Sequence, residues 1–191
     1  MAAIDALARQ VNTQVAPPLR PESPFKVDMI GRAATAAQAM AALNAGESVS
    51  LTGAGGLGKT TLASAVAAGW PGGPPRVFWH TIRPGLNDQA ASLIFSLGYF
   101  LRGLDAPNTW RQLVADGGAT PAARALGLLR HDLGLLAAQP PLLCIDEADL
   151  LRDETIVHAQ ALRLLEELQG VAPLLVIGQR PALETRHHIA L

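Results

Sequence analysis

Gly53-Ala54-Gly55-Gly56-Leu57-Gly58-Lys59-Thr60 constrains this chain more than any other stretch. The apolar-leaning run Ser48-Val49-Ser50-Leu51-Thr52 precedes it and an alanine-rich run follows it, so the segment reads as strand, glycine-rich loop, helix. Its spacing is G-x-x-x-x-G-K-[ST], that of a phosphate-binding loop. Glycines let backbone N–H groups curl around an anion without Cβ clashes. The helix expected over Lys59 to Ala68 turns its positive dipole end to the same point. In that arrangement Lys59 reaches the β- and γ-phosphates of a nucleotide, and the Thr60 hydroxyl sits on Mg²⁺. Gly53, Ala54, Gly55, Gly56, Leu57, Gly58, Lys59, Thr60 and Thr61 make up the cradle. The chain has only two lysines, Lys26 and Lys59, so the lysine here is no by-product of a lysine-rich composition.

The rest of the chain divides into an extension and one body. Residues 1–15 read as a short amphipathic helix with Ile4, Leu7, Ala8 and Val11 on one face. Four prolines between Ala16 and Pro24 make an extended linker. Residues 1–24 are therefore assigned to an N-terminal extension and 25–191 to one nucleotide-binding domain, starting near Phe25. A helix is expected over Ala33 to Asn44, stopped at Ala45-Gly46. Further strands are expected over Arg76 to Ile82, Pro141 to Asp146 and Pro173 to Gly178. Asn87 or Asp88 caps a helix to about Arg102, and Asn108 and Thr120 cap helices near 109–115 and 121–138. A last helix runs from about Thr155 to Gln169. Strands alternating with helices predict a parallel α/β sheet.

Four apolar residues lead into Asp146-Glu147. A carboxylate at the C-terminal end of a parallel strand stands where such sheets bind ligands. Asp146 is assigned to Mg²⁺, through water, and Glu147 to orienting or deprotonating the attacking water. One strand and several helices fill the gap between the loop and Asp146. That spacing predicts a three-layer P-loop fold of the ASCE branch, with an extra strand between the loop strand and the Asp146 strand and core order 2-3-1-4. The strand ending at Gly178 is followed by Gln179-Arg180-Pro181. Arg180, and after it Gln179, is the expected γ-phosphate sensor.

Composition excludes several classes. The net charge is −1 over 191 residues, so no basic footprint for nucleic acid is present. Cys144 is the only cysteine, which excludes an internal disulfide, and its apolar strand predicts a buried, inert thiol. The start Met1-Ala2-Ala3-Ile4-Asp5 has no signal-peptide pattern, and no apolar run reaches the ~18 residues of a membrane span. A cytoplasmic location without a membrane partner is expected. His187-His188 has no further ligand at metal-site spacing, and His80, Phe78 and Trp79 read as structural. Arg83 reads as a solvated loop residue. The stripe Leu93-Ile94-Leu97-Phe100-Leu101 serves either helix packing or a partner face.

Asp28-Met29-Ile30-Gly31-Arg32, then a helix, then Gly46 through the loop to Thr60-Thr61-Leu62-Ala63, resembles the STAND NTPases over roughly residues 27–181. These are signal-transduction ATPases with numerous domains, among them NB-ARC and NACHT proteins. The resemblance implies a nucleotide-operated switch, ADP-bound when off and ATP-bound when on, with Mg²⁺ as cofactor. It implies partners of two kinds, further copies of the chain and regulatory protein domains. Ile30, Gly31 and Arg32 would lie by the adenine, and Arg180 stands where the family carries its arginine sensor. Ala33 departs from the glutamate many relatives have there. The family's helical lid and winged helix do not appear before Leu191, so an excised core or a degenerate short form is expected, with slow or absent ATPase activity.

Three other readings compete. An AAA+-type loader, or a transposition regulator resembling the TniB group, shares the loop and the Asp-Glu pair. A non-hydrolysing nucleotide-binding scaffold shares the loop alone. Asp146-Glu147-Ala148-Asp149 also spells the box of DEAD helicases, but Gly178-Gln179-Arg180 stands where those carry Ser-Ala-Thr.

Overall fold

The apolar runs become strands because each is buried on both faces, as a central parallel strand must be. The computed structural model describes residues 31–152 and 156–191. The readings for the extension, the linker, the start near Phe25 and the Met29-Ile30 positions lie outside the described residues. The strands are β1 (Val49–Thr52), β2 (Val77–Thr81), β3 (Leu142–Asp146), β4 (Leu174–Gly178) and β5 (His187–Ala190). The helices are α1 (Ala33–Asn44), α2 (Lys59–Ala68), α3 (Ala90–Arg102), α4 (Asn108–Ala115), α5 (Ala122–Leu135) and α6 (Ile156–Leu168). Short 3₁₀ turns form at Pro74–Arg76 and Ala148–Arg152.

All five strands pair in parallel in the order β2-β3-β4-β1-β5. This corrects the expected 2-3-1-4. β4 enters between β3 and β1, pairing Leu175 with Cys144 on one side and with Val49 on the other. The edge strand β5 adds a fifth member that the sequence reading did not include.

Side chains alternate between the two faces of the sheet. Val49, Leu51, Trp79, Cys144, Leu175 and Ile177 form one buried layer with Leu43 of α1 and Leu62 and Val66 of α2. Phe78, Leu143, Ile145, Leu174 and Val176 form the other with Leu93 and Leu97 of α3, Leu129 and Leu133 of α5 and Leu165 of α6. The architecture is therefore a parallel sheet between two helical layers. The stripe on α3 is buried, which assigns it to packing. Cys144 is fully buried, and burial holds its thiol well above the usual range, with Asp146 adding to the effect.

Several caps differ from expectation. α3 starts after Gln89; Asn87 and Asp88 instead close the preceding loop, accepting from the N–H groups of Arg83 and Gly85, each at 2.7 Å. Asn108 is the first residue of α4 itself, and the carboxylate of Asp132 in α5 receives that helix start. Thr120 donates to Asp116, and α5 starts after Pro121 and ends at Leu135. At α4 the acceptor comes from a distant helix, which a local capping rule cannot see, while α3 and α5 start without a side-chain cap.

Candidate functional site

In a parallel sheet all strand C-termini meet at one edge, and the expected residues come together there. The loop after β1 leads into α2, Asp146 closes β3, and Gln179 follows β4. α1 is joined to β1 by a four-residue turn and packs beside it, so its Gly31-Arg32 end rises toward the same edge.

The loop needs its glycines at three places. Gly53, Gly56 and Gly58 have φ of 147°, 81° and 79°, all in the region that L side chains disfavour. Gly53 is also crowded: a Cβ there would lie 2.7 Å from the Leu191 carbonyl oxygen. Gly58 sits at the N-cap of α2 without a capping side chain, so the first N–H groups of the helix keep no side-chain partner. Ala54, Gly55, Gly56 and Leu57 are exposed, and Thr61 is half-buried in the first turn of α2.

Lys59 is buried, and its ammonium curls back into the loop. It donates to the carbonyls of Gly53 at 2.8 Å and Ala54 at 3.0 Å. Two of three ammonium donors are used, and both acceptors are neutral. The charge is thereby held inside the cradle.

Thr60, in the first turn of α2 after β1, and Asp146, at the end of β3, follow strands that are not neighbours, yet they touch. The Thr60 hydroxyl donates to Asp146 Oδ2 at 3.1 Å, reaching across the end of β4. The Glu147 N–H donates to Asp146 Oδ1 at 3.0 Å. Burial raises the Asp146 carboxyl above its ordinary pKa, against the opposing effect of those hydrogen bonds and of Lys59. Glu147 is raised too, first by burial, then by the charges of Asp146 and Asp149. Its backbone takes φ 55°, a left-handed turn that redirects the chain directly after β3.

Thr60 and Asp146 offer hard oxygen donors of the kind Mg²⁺ selects. The donor set fits that ion with water and phosphate oxygens completing the shell. No group of three or more His, Cys, Asp or Glu side chains able to hold a metal occurs among the described residues. His187 pairs with Glu47, and His188 meets the Thr52 hydroxyl at 2.5 Å, so both histidines make contacts where β5 joins β1.

The structure brings Lys59, Thr60, Asp146 and Glu147 together. Gln179 and Arg180 stand exposed at the end of β4 on the same edge. Gly31 is exposed and Arg32 half-buried, with its Nη1 buried and unpartnered, and no hydrogen bond joins either to the loop among the described residues. Ile30 lies outside the described residues. His80 is buried on β2, with a ring nitrogen 3.2 Å from the Asn87 carbonyl. Asp149 and Arg152 were not picked out by the sequence reading, although Asp149 stood in view within Asp146-Glu147-Ala148-Asp149. Cavities of about 440 and 420 Å³ lie elsewhere, one between α3 and Thr120, the other beside Trp70 and Pro173 at the opposite edge.

No protein-family model matches this sequence, and no curated protein matches it. No helix among the described residues is long and apolar enough to cross a membrane.

Proposed function

We propose that this chain is the nucleotide-binding core of an ASCE P-loop NTPase of STAND type, a switch that binds ATP or ADP with Mg²⁺ and hydrolyses ATP slowly. The observation that carries the reading is the Thr60–Asp146 hydrogen bond, which joins the glycine-rich loop to an acidic strand end across an intervening strand. The position of β4 between the loop strand and the acidic strand supports the ASCE reading.

The residues then divide the work. The Gly53–Gly58 backbone and the N-terminus of α2 receive the phosphates. Lys59 exchanges two neutral carbonyls for anionic oxygens without leaving the cradle, a stronger set of hydrogen bonds. Thr60 and Asp146 would hold the metal, which would supply positive charge against the phosphates. Glu147, its proton affinity raised by burial and two neighbouring carboxylates, takes the proton of the attacking water. Arg180 contacts the γ-phosphate, and Gly31 and Arg32 line the adenine side.

Asp146→Ala tests the division. It should weaken Mg²⁺-dependent ATP binding by about tenfold or more while leaving Mg²⁺-free binding within about twofold. Equal losses with and without Mg²⁺ would remove Asp146 from the metal.

A further inference from the structure

The turn after Glu147 grips the loop after β4 at two points. Asp149 is 5% exposed, and its Oδ1 accepts the N–H of Gln179 at 3.0 Å. Arg152, at the end of the same 3₁₀ turn, donates from Nη1 to the Pro181 carbonyl at 2.6 Å. These two bonds fall on either side of Arg180. Gly178 makes room for the first: a Cβ there would lie 2.4 Å from Asp149 Oδ1 and 3.1 Å from the Arg180 carbonyl oxygen. The glycine ending β4 is thus explained by the carboxylate seated on it. Asp149 lies two residues from Glu147 on a backbone fixed by the left-handed turn at Glu147 and by the Leu150 N–H bonded to the Glu147 carbonyl at 3.1 Å.

We propose that Asp149 is a positioning residue, which with Arg152 clamps the Arg180 loop to the Glu147 turn so that the γ-phosphate sensor and the hydrolytic carboxylate move as one unit. The inference rests on the nucleotide-binding reading above. Its consequence is specific to the triphosphate. A clamp that places Arg180 alters how the site tells three phosphates from two, whereas a purely structural carboxylate alters both nucleotides alike.

The test is the ratio of affinities for AMP-PNP and ADP, both with Mg²⁺, measured by calorimetry on the full chain. Asp149→Ala should lower that preference by about tenfold, and Asp149→Asn, whose amide oxygen still accepts the Gln179 N–H, should keep it within about threefold. In an Arg180→Ala background the same Asp149→Ala change should cost less than about twofold, because contacts acting through one residue are not additive. Arg152 is exposed, so Arg152→Ala keeps the core intact should the Asp149 variants not fold; it should lower the preference by about threefold, again only when Arg180 is present. Equal loss of both nucleotides, a loss that persists without Arg180, or an unchanged preference in Arg152→Ala would overturn the clamp alone. A wild-type chain that binds neither nucleotide would overturn the reading on which it rests.

Discussion

Asp132 and Asp146 are both buried carboxylates, and the fold supplies them with donors very differently. Asp132, 0% exposed, meets four donors from the start of α4: both N–H groups of Asn108 and Thr109, the Asn108 amide and the Thr109 hydroxyl, at 2.7 to 3.3 Å. Both of its oxygens are engaged, and it stands at a helix N-terminus, where negative charge is favoured. Asp146, 5% exposed, has one hydroxyl and one N–H, with Glu147 and Asp149 adding negative charge beside it. The first carboxylate is completed by its own fold. The second keeps unused lone pairs and an electrostatic debt, an arrangement suited to a cation that arrives with a ligand.

Removing the completed carboxylate should do the most damage. Asp132→Ala leaves buried donors on α4 unpaired and should cost about 3 kcal/mol in urea unfolding. A loss under about 1 kcal/mol would show that α4 does not depend on Asp132 and would erase the contrast.

The incomplete carboxylate should behave in the opposite sense. Asp146 has a raised folded pKa, so the native state holds its proton more tightly than the unfolded chain. Stability from this group is therefore present at low pH and is lost as pH rises from about 4 through the raised value. Without Mg²⁺ or nucleotide, Asp146→Asn should raise stability at pH 7 by on the order of 1 kcal/mol. Thermal unfolding at pH 7 and below pH 4 checks this, since the gain should vanish in acid. Destabilisation at pH 7 would place Asp146 with Asp132 among structural carboxylates.

Glu47 gives the smallest effect and the reverse pH sense. Hydrogen bonds from Arg186, then His187, hold its carboxyl below the ordinary range where β1 meets β5. Its contribution is present at neutral pH and lost as pH falls through that lowered value. Glu47→Gln should reduce the melting temperature slightly at pH 7 and not at all in strong acid, with salt shrinking the difference. A gap that widens in acid would contradict the pairing.

Much of this contrast could be read from the sequence, but unevenly. Leu142–Asp146 and Leu174–Gly178 announced themselves because central parallel strands are apolar on both faces, and Val49–Thr52 because it feeds the glycine-rich loop. Lys59, Thr60 and Asp146 were legible because each is tied to a local spacing. β5 was not: Ile189 is its one buried residue, and His187 and His188 are polar, as an edge strand tolerates. Strand order was missed because inserting β4 between β3 and β1 is a crossover decision made by long-range packing. The carboxylate at α4 was missed for a related reason, since Asp132 lies 24 residues from Asn108. Asp149 showed its residue type but not its role, which depends on Gly178 and Gln179 folding beneath it.

The central claim is that the cradle around Lys59 binds nucleotide phosphates. Calorimetric titration of MgADP into the wild-type chain and into Lys59→Ala tests it most directly. The wild-type chain should bind with a Kd in the roughly micromolar range or tighter, and Lys59→Ala should show no measurable binding. A folded wild-type chain that releases no heat, or a variant that retains wild-type affinity, would contradict it.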